Sequence, residues 1–583
     1  MTRTPALDQT TETPAKTAHE KSGLVLLFIG LMLSMLLASL SQTVLSTALP
    51  TMVGELNGVD QMLWVMTAFI LASTIMMPVY GKMGDLIGRK SLLIIAIVLF
   101  MAGSIVGGLA GNMSWLIVGR VIQGLGGGGL IILSQAIIAD VVPARERGKY
   151  MGIMGGVFAV SSVAGPLLGG WFTESIGWRW TFWINLPLGV LALLAAIFFL
   201  HLPKGSNSRP RVDFGGMALL AIATTALVLA ASWGGSEYAW GSPVILGLLA
   251  LTAIAAVLFV LVERRAAEPI ISMHLFKERN FILTTGAGLL IGVAMFGVLG
   301  YMPTYIQMVT GISATQAGFV MIPMMLMLLI TSTASGFVIS RTGRYKWMPI
   351  TGAGVLAVAL VLLSTLRVQT DLWVLCVFLG VMGFGLGLSM QVLVLIVQNT
   401  FPNSQVGTAT ASNTYFRQIG ASLGAAVVGS LFTSRLTSLL VERMPAGASG
   451  ATGGPESLTP GAVDRLPDAL RVPIIESYND ALAPLFFYMV PLAIIAVALL
   501  CLVKEVPLAT TIERDAPAKS PADSPRDGAV EVGAAQAIAT DAAVVDVSAN
   551  ADDDDAGHDA ARSPSDDGTS PDVRPERVDA PVS

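Results

Sequence analysis

Apolar runs of about twenty residues recur along most of this 583-residue chain, separated by short polar turns. At about 1.5 Å per residue, such a run crosses a hydrocarbon core of ~30 Å. In lipid, backbone N–H and C=O groups find no outside partners, so each run is read as a helix. Fourteen spans are predicted, at roughly 23–49, 62–80, 91–110, 115–138, 150–173, 181–200, 214–232, 243–262, 281–306, 315–340, 347–366, 372–399, 408–431 and 482–503.

The polar turns carry a sign. With the N-terminus inside, one set of loops holds Lys82, Arg89 and Lys90; Arg145, Arg147 and Lys149; Lys204, Arg209 and Arg211; Arg264, Arg265, Lys277 and Arg279; and Arg341, Arg344 and Lys346. The other set, up to the twelfth span, holds little beyond Arg179 and Arg367. Lys and Arg gather on the cytoplasmic side of membrane proteins, so both termini are expected to be cytoplasmic, and a miscount by one span would scramble the alternation. Composition agrees: 54% of residues are hydrophobic, 13% are charged and the mean hydropathy is +0.71, whereas soluble domains are about 25% charged. The formal net charge of −5 is unevenly spread, because residues 504–583 hold eighteen acids and seven bases and leave the rest net basic by six. That tail, with its run Asp552-Asp-Asp-Asp555, has too few large apolar residues for a core and is expected to be disordered. Residues 1–22 are polar, and the span from Gly23 is too long for a signal-peptide core. The segment 433–480, between the last two spans, begins Gly/Pro-rich; its later part, Ala469-Leu-Arg-Val-Pro-Ile-Ile-Glu-Ser-Tyr, is expected to form short helices on the outer surface.

Few side chains offer chemistry of their own. Cys376 and Cys501 both lie in apolar spans, which argues against a disulfide. His19, His201, His274 and His558 all fall outside the apolar cores, so no metal cluster and no histidine proton relay is expected. Gly84-Asp-Leu-Ile-Gly88-Arg-Lys-Ser91 is not spaced as a phosphate loop, and Gly124-Leu-Gly126-Gly-Gly-Gly129 lacks the strand that a dinucleotide motif requires. No cofactor, no ATP and no nucleic-acid partner is expected, and the chain is not expected to be an enzyme.

The turn after the second span reads Gly81-Lys-Met-Gly-Asp-Leu-Ile-Gly-Arg-Lys90. Its Gly81, Asp85, Gly88, Arg89 and Lys90 resemble the G-x-x-x-D-x-x-G-R-[RK] loop of the major facilitator superfamily, and the resemblance implies a conformational latch in which Asp85 bonds a helix end in the other half, near Gly407. Gly81, Asp85, Gly88 and Arg89 repeat, at a constant offset of 255, as Gly336, Ser340, Gly343 and Arg344. That offset fits eight helices rather than six, so two six-helix bundles (23–200 and 281–503) are expected, with two extra helices in the linker 201–280.

Span four contains Arg120 and, one turn on, Gln123, similar to the superfamily's R-x-x-Q-G-x-G motif. An arginine inside a span faces a cavity or partner, or else snorkels to the interface; the resemblance implies a place beside the cavity and a part in proton coupling. Span five carries Gly152, Ser161, Gly165-Pro166 and Gly169-Gly170, similar to the antiporter motif, with Ser161 where glycine is usual; small residues permit close helix packing and Pro166 is expected to kink the helix. Trp178-Arg-Trp-Thr-Phe-Trp-Ile-Asn185-Leu-Pro187-Leu-Gly189 and Phe416-Arg417-Gln418-Ile-Gly resemble the fourteen-helix drug:proton antiporters. That family commonly has an aspartate where this chain has Ser41, beside Gln42, and no acid lies deep in any predicted span. The remaining acids, Asp85, Asp140 and Glu174, lie near the surfaces, while Arg120 and Arg417 lack an obvious carboxylate partner.

An all-α membrane carrier of the major facilitator fold is therefore expected, multi-pass in the plasma membrane and acting as a monomer. The resemblance implies export of small amphipathic toxic compounds in exchange for protons. The missing first-helix acid suggests a preference for substrates other than compact dications, which Ser41→Asp should relax. Export of a lipid or lipid conjugate is the alternative; a non-transporting sensor or scaffold is the third reading, and it has no use for the loop and antiporter motifs.

Overall fold

The computed structural model describes residues 14–58, 61–200, 202, 212–235, 237–444, 460–463 and 466–510. Among them, fourteen helices are long and apolar enough to cross a membrane: α1 (Gly23–Glu55), α2 (Met62–Ile87), α3 (Arg89–Gly108), α4 (Met113–Val141), α5 (Ala144–Ser175), α6 (Trp180–Phe199), α7 (Phe214–Trp233), α8 (Pro243–Glu263), α9 (Arg279–Thr310), α10 (Thr315–Thr342), α11 (Trp347–Ser364), α12 (Leu372–Thr400), α13 (Asn403–Arg443) and α14 (Asp468–Cys501).

Local chemistry sets many ends. Asn112 caps α4 by accepting from Trp115 N, and Ser242 caps α8 ahead of Pro243 in the first turn. Ser313 and Gln316 form a reciprocal capping box at the start of α10. Such side chains satisfy amides that have no partner within the helix.

Packing repeats with an eight-helix shift. In the first bundle α1 packs on α5 and α6, and α4 on α2 and α3; in the second α9 packs on α13 and α14, and α12 on α10 and α11. The bundles meet along two seams, α2 against α13 and α5 against α10, which the same shift exchanges. The hairpin of α7 and α8 rests through α7 on α2 and α13. Its tie to α13 includes a 2.7 Å hydrogen bond between Thr224 Oγ1 and Tyr415 OH. On α8, Leu246, Ile254 and Val257 are exposed, as suits a lipid-facing element.

Several boundaries differ from the sequence expectation. The ten-residue turn after the second span is instead the last turns of α2, which runs to Ile87 and is separated from α3 by Gly88 alone, at φ 98°. Its counterpart Gly343 takes φ 72° between α10 and α11. Only glycine adopts such angles at little cost, so the repeated glycines mark two equivalent sharp corners. The expected outer helices near 469–478 are the first turns of α14, with Ile474 and Tyr478 buried, and α13 continues to Arg443. Hydropathy locates the edge of the lipid, whereas hydrogen bonding carries a helix past it. Helix α5 remains continuous through Pro166.

Residues 504–510, expected to belong to a disordered tail, are instead pinned. Lys504 exchanges two 2.9 Å hydrogen bonds with the Asn280 side chain, and Glu505 accepts from the backbones of Tyr345 and Lys346. Val506 bonds Tyr345 OH, and Arg145 N donates to Ala509 O. Burial pushes the Tyr345 phenol above its ordinary pKa, so it remains a donor. Residues 1–13, the loop with Lys204, Arg209 and Arg211, residues 445–459, and the tail beyond 510 with its aspartate run lie outside the described residues.

Candidate functional site

The functional side chains fall into three places: two seams on the face where the basic turns gather, and one buried cluster inside the first bundle.

At the first seam, Gly81 lets α2 approach α13, since a Cβ there would strike Ala411 and come within 2.7 Å of Gly407 O. One turn on, Asp85 accepts from Gly407 N at 3.1 Å, Thr408 N at 2.7 Å and Thr408 Oγ1 at 2.8 Å. Those amides lie in the first turn after Val406, where they lack helical partners and the helix dipole is positive, so a carboxylate binds there favourably. Arg89 holds the acid in place with a 2.8 Å bond to Asp85 and a 2.6 Å bond to Asp140, and it donates to Ala136 O and Asn403 O. Lys90 Nζ donates to Ile197 O at 2.9 Å, near the carbonyl end of α6.

The second seam uses the opposite pole. Gly148 and Gly152 of α5 lie against Gly336 and Ser332 of α10, and Ser332 Oγ donates to Gly152 O at 3.1 Å. Arg145 donates to Ser340 O and Arg341 O, both at 3.2 Å, at the carbonyl end of α10, so a cation meets the negative helix end. Arg147, 4% exposed, donates to Val142 O, Ala139 O and Asn403 Oδ1.

Inside the first bundle Arg120 is fully buried, which removes the snorkelling alternative. Its Nε donates to Val65 O at 3.1 Å, and its Nη1 to Gln123 Oε1 at 2.9 Å and Ser41 Oγ at 3.3 Å. The guanidinium lies 4.2 Å from the centroid of the Phe69 ring. Gln123 passes the chain on to Ser104 Oγ, which also accepts from Asn185. Every partner is neutral, and Arg120 Nη2 is buried with no hydrogen bond.

The structure thus joins Arg120, Gln123 and Ser41, but brings neither Gln42 nor Arg417 to them. Both are half-buried, and no hydrogen bond joins either to the described residues; Arg417 belongs to the second bundle, where α13 crosses Gly292 of α9. The antiporter motif divides its work. Gly152 serves the seam with α10, whereas Ser161, Gly165 and Gly169 face α1: Ser161 Oγ bonds Ser39 Oγ, Thr43 Oγ1 donates to Ser161 O at 2.8 Å, and Cβ atoms on the two glycines would strike Thr43, and Val44 with Thr47. A Cβ on Gly170 would meet nothing within 4 Å. The tryptophan signature ties α6 to the end of α1, because Trp178 Nε1 and Arg179 Nη1 each donate to Glu55 at 2.6 Å.

Sequence reasoning missed Thr408, Phe69, Ser104 and Glu55, and it counted Arg145 and Arg147 as loop charges only. One signal was available: at the 255-residue offset Gly152 aligns with Gly407, so applying the repeat to span five leads to the helix start that binds Asp85.

Comparison with known proteins agrees with this architecture. The model of the Major Facilitator Superfamily matches residues 31–425. An uncharacterized MFS-type transporter of Mycobacterium tuberculosis is 40% identical over 514 residues, covering 87% of this chain and 74% of its own. The multidrug transporter protein MdtP of Bacillus subtilis is 35% identical over 497 residues, covering 80% of this chain and 91% of its own. The human organic anion transporter MFSD10 superposes with a TM-score of 0.56 at 17% identity, over 84% of this chain and 100% of its own, a likeness of fold alone. A shifted eight-helix repeat, two seams sealed at opposite helix poles and a family match across both bundles lead to one conclusion: this multi-pass membrane protein belongs to the major facilitator superfamily and is a transporter, not an enzyme.

Proposed function

We propose that the protein exports small amphipathic compounds across the plasma membrane in exchange for protons, by rocking one bundle against the other about the two seams. The basic face is the cytoplasmic face, with both termini on that side. The observation that carries this reading is the pair of seams. Each combines glycines at the helix contact with a reversible charge–helix-end contact, so it is suited to opening and closing. A relative named a multidrug transporter supports the substrate class. Arg120, Gln123 and Ser41 take part in proton coupling, with Asp85 as latch; the protein works as a monomer without a cofactor, driven by the proton gradient. Arg120 and Arg417 have no carboxylate partner among the described residues, so neutral, anionic and delocalised monovalent substrates are favoured over compact dications.

The test is efflux of a compound panel in everted vesicles with an imposed pH gradient. Export that follows the gradient and persists without ATP supports the reading; export that ignores the gradient overturns it. An apolar groove between α10, α11 and α12, lined by Met327, Val355, Val377 and Phe384, favours a second reading, export of a lipid conjugate entering sideways. Transbilayer movement of a fluorescent lipid in the same vesicles separates the two.

A further inference from the structure

We infer that Glu263, packed beside Asp213 at the base of the α7–α8 hairpin, is a proton-binding site, and that its occupancy sets how firmly the hairpin holds the first seam closed.

The site is built by the two ends of the hairpin. Asp213 caps α7, its Oδ1 accepting from Gly216 N at 2.8 Å. Glu263 is the last residue of α8 and is 3% exposed. Its Oε1 accepts from Ile270 N at 3.1 Å and Ile271 N at 3.5 Å. The other oxygen of each acid, Asp213 Oδ2 and Glu263 Oε2, is buried without a hydrogen-bond partner. The two groups face one another across Gly216: the point where a Cβ would stand on that glycine lies 2.5 Å from Asp213 Oδ2 and 3.0 Å from Glu263 Oε1. With no side chain between them, two carboxylates so placed repel one another. A proton held on Glu263 removes that repulsion.

The surrounding charges leave that proton in place. Asp213 from α7, Lys82 from α2 and Glu268 from the stretch after α8 face the site. Lys82 Nζ is engaged by Glu268 Oε2 at 2.6 Å, and Arg264 and Arg265, next along the chain, are exposed. A small cleft between α2 and the hairpin, lined by Lys82, Met83, Val212, Asp213, Met217 and Glu268, gives the proton a path.

The same hairpin spans the seam. It grips α2 through the Lys82–Glu268 pair, next to Gly81, and α13 through Thr224 and Tyr415. Loss of the Glu263 proton sets two like charges against each other at its base and loosens that grip. The seated, buried pair binds its proton more tightly than a loosened, hydrated pair would. Falling pH at the basic face therefore favours the seated hairpin and a closed seam, and rising pH favours release.

The test needs no substrate and so stands apart from the export reading. Full-length protein with Cys376→Ser and Cys501→Ser, placed in lipid nanodiscs, receives spin labels at Ile87→Cys and Gln405→Cys, exposed positions at the ends of α2 and α13 that flank the first seam. Distances are measured between about pH 5 and about pH 9, which brackets the titration of a buried carboxyl pair. The short-distance population is expected to grow as pH falls. Glu263→Gln should hold it high and flat. Asp213→Asn, which decides the matter if the first variant fails to insert, should lower the midpoint by at least about one pH unit, a tenfold loss of proton affinity. A parent without pH dependence, or variants that titrate with the parent's midpoint, overturns the proposal.

Discussion

Arg120 is buried among neutral acceptors, an arrangement whose desolvation costs several kcal/mol per ion and which the ring of Phe69 and three acceptors only partly offset. Arg120→Ala is expected to reduce gradient-driven efflux at least ~10-fold at matched expression, and Arg120→Lys to recover it in part, since an ammonium cannot span Val65 O, Gln123 and Ser41 as the planar fork does. Vesicle transport with both variants pumping normally would remove Arg120 from the mechanism. Ser41 lies 3.3 Å from Arg120 Nη1, so Ser41→Asp is expected to pair with that guanidinium and leave dication export unchanged, contrary to the sequence-based expectation. Comparing monovalent and divalent members of one dye series checks this. At the first seam, Asp85→Asn keeps the shape but loses charge-assisted bonds worth about 1.5–3 kcal/mol each; turnover is expected to fall about tenfold or more while substrate affinity, read by equilibrium binding, stays within about twofold.

At the scale of elements, α5 is two packing surfaces on one helix. Its first half meets α10 and its second half meets α1, so substitutions along the same motif should differ in kind. Gly152→Val would drive a side chain into the Ser332 backbone and is expected to hold the second seam open, whereas Gly170→Val meets nothing within 4 Å and is expected to be silent. Accessibility of a cysteine introduced at Arg344 separates them. Residues 503–510 are an element that composition concealed. They reach from Asn280 and Tyr345 of the second bundle to Arg145 of the first. A chain ending after residue 510 is expected to transport normally, whereas one ending after Leu502 loses these bonds and is expected to close its basic face less often, seen as increased labelling at that same position. Equal labelling of the two truncations would reduce the segment to decoration.

For the whole molecule, the eight-helix repeat makes α2 equivalent to α10 and α5 to α13, so one movement can open both seams. The poles are reversed between them: Asp85 meets amides at the start of α13, while Arg145 meets carbonyls at the end of α10. The two contacts should respond differently to screening, because the Asp85 side chain is 5% exposed whereas Arg145 is exposed: added salt is expected to weaken the second seam more than the first. Collapsing the pH gradient in vesicles is expected to return efflux to background, while ATP removal under an imposed gradient leaves it unchanged; the reverse result would exclude a proton-driven carrier.

How much was legible depends on the distance over which each feature is decided. The fourteen spans, the repeat and the extra pair of helices were readable because each rests on local hydropathy, loop charge and glycine spacing. Helix ends were less so: the last turns of α2 and the first turns of α14 carry polar residues and extend past the lipid edge, where hydropathy falls but backbone hydrogen bonding does not. Of the candidate residues, Arg120 and Gln123 lie one turn apart and could be paired by inspection, and the Asp85 partner was placed near Gly407 only by resemblance. Thr408, 323 residues from Asp85, the burial of Arg120 beside Phe69, the absence of Arg417 from that cluster and the facing of Asp213 and Glu263 were decided by tertiary packing. Sequence by itself determined which segments must be helices and which face carries the charge, since those follow from each residue's own solvation. Only the folded structure decided which charge meets which helix end, because contacts between elements far apart in the chain depend on how two bundles close around their glycines.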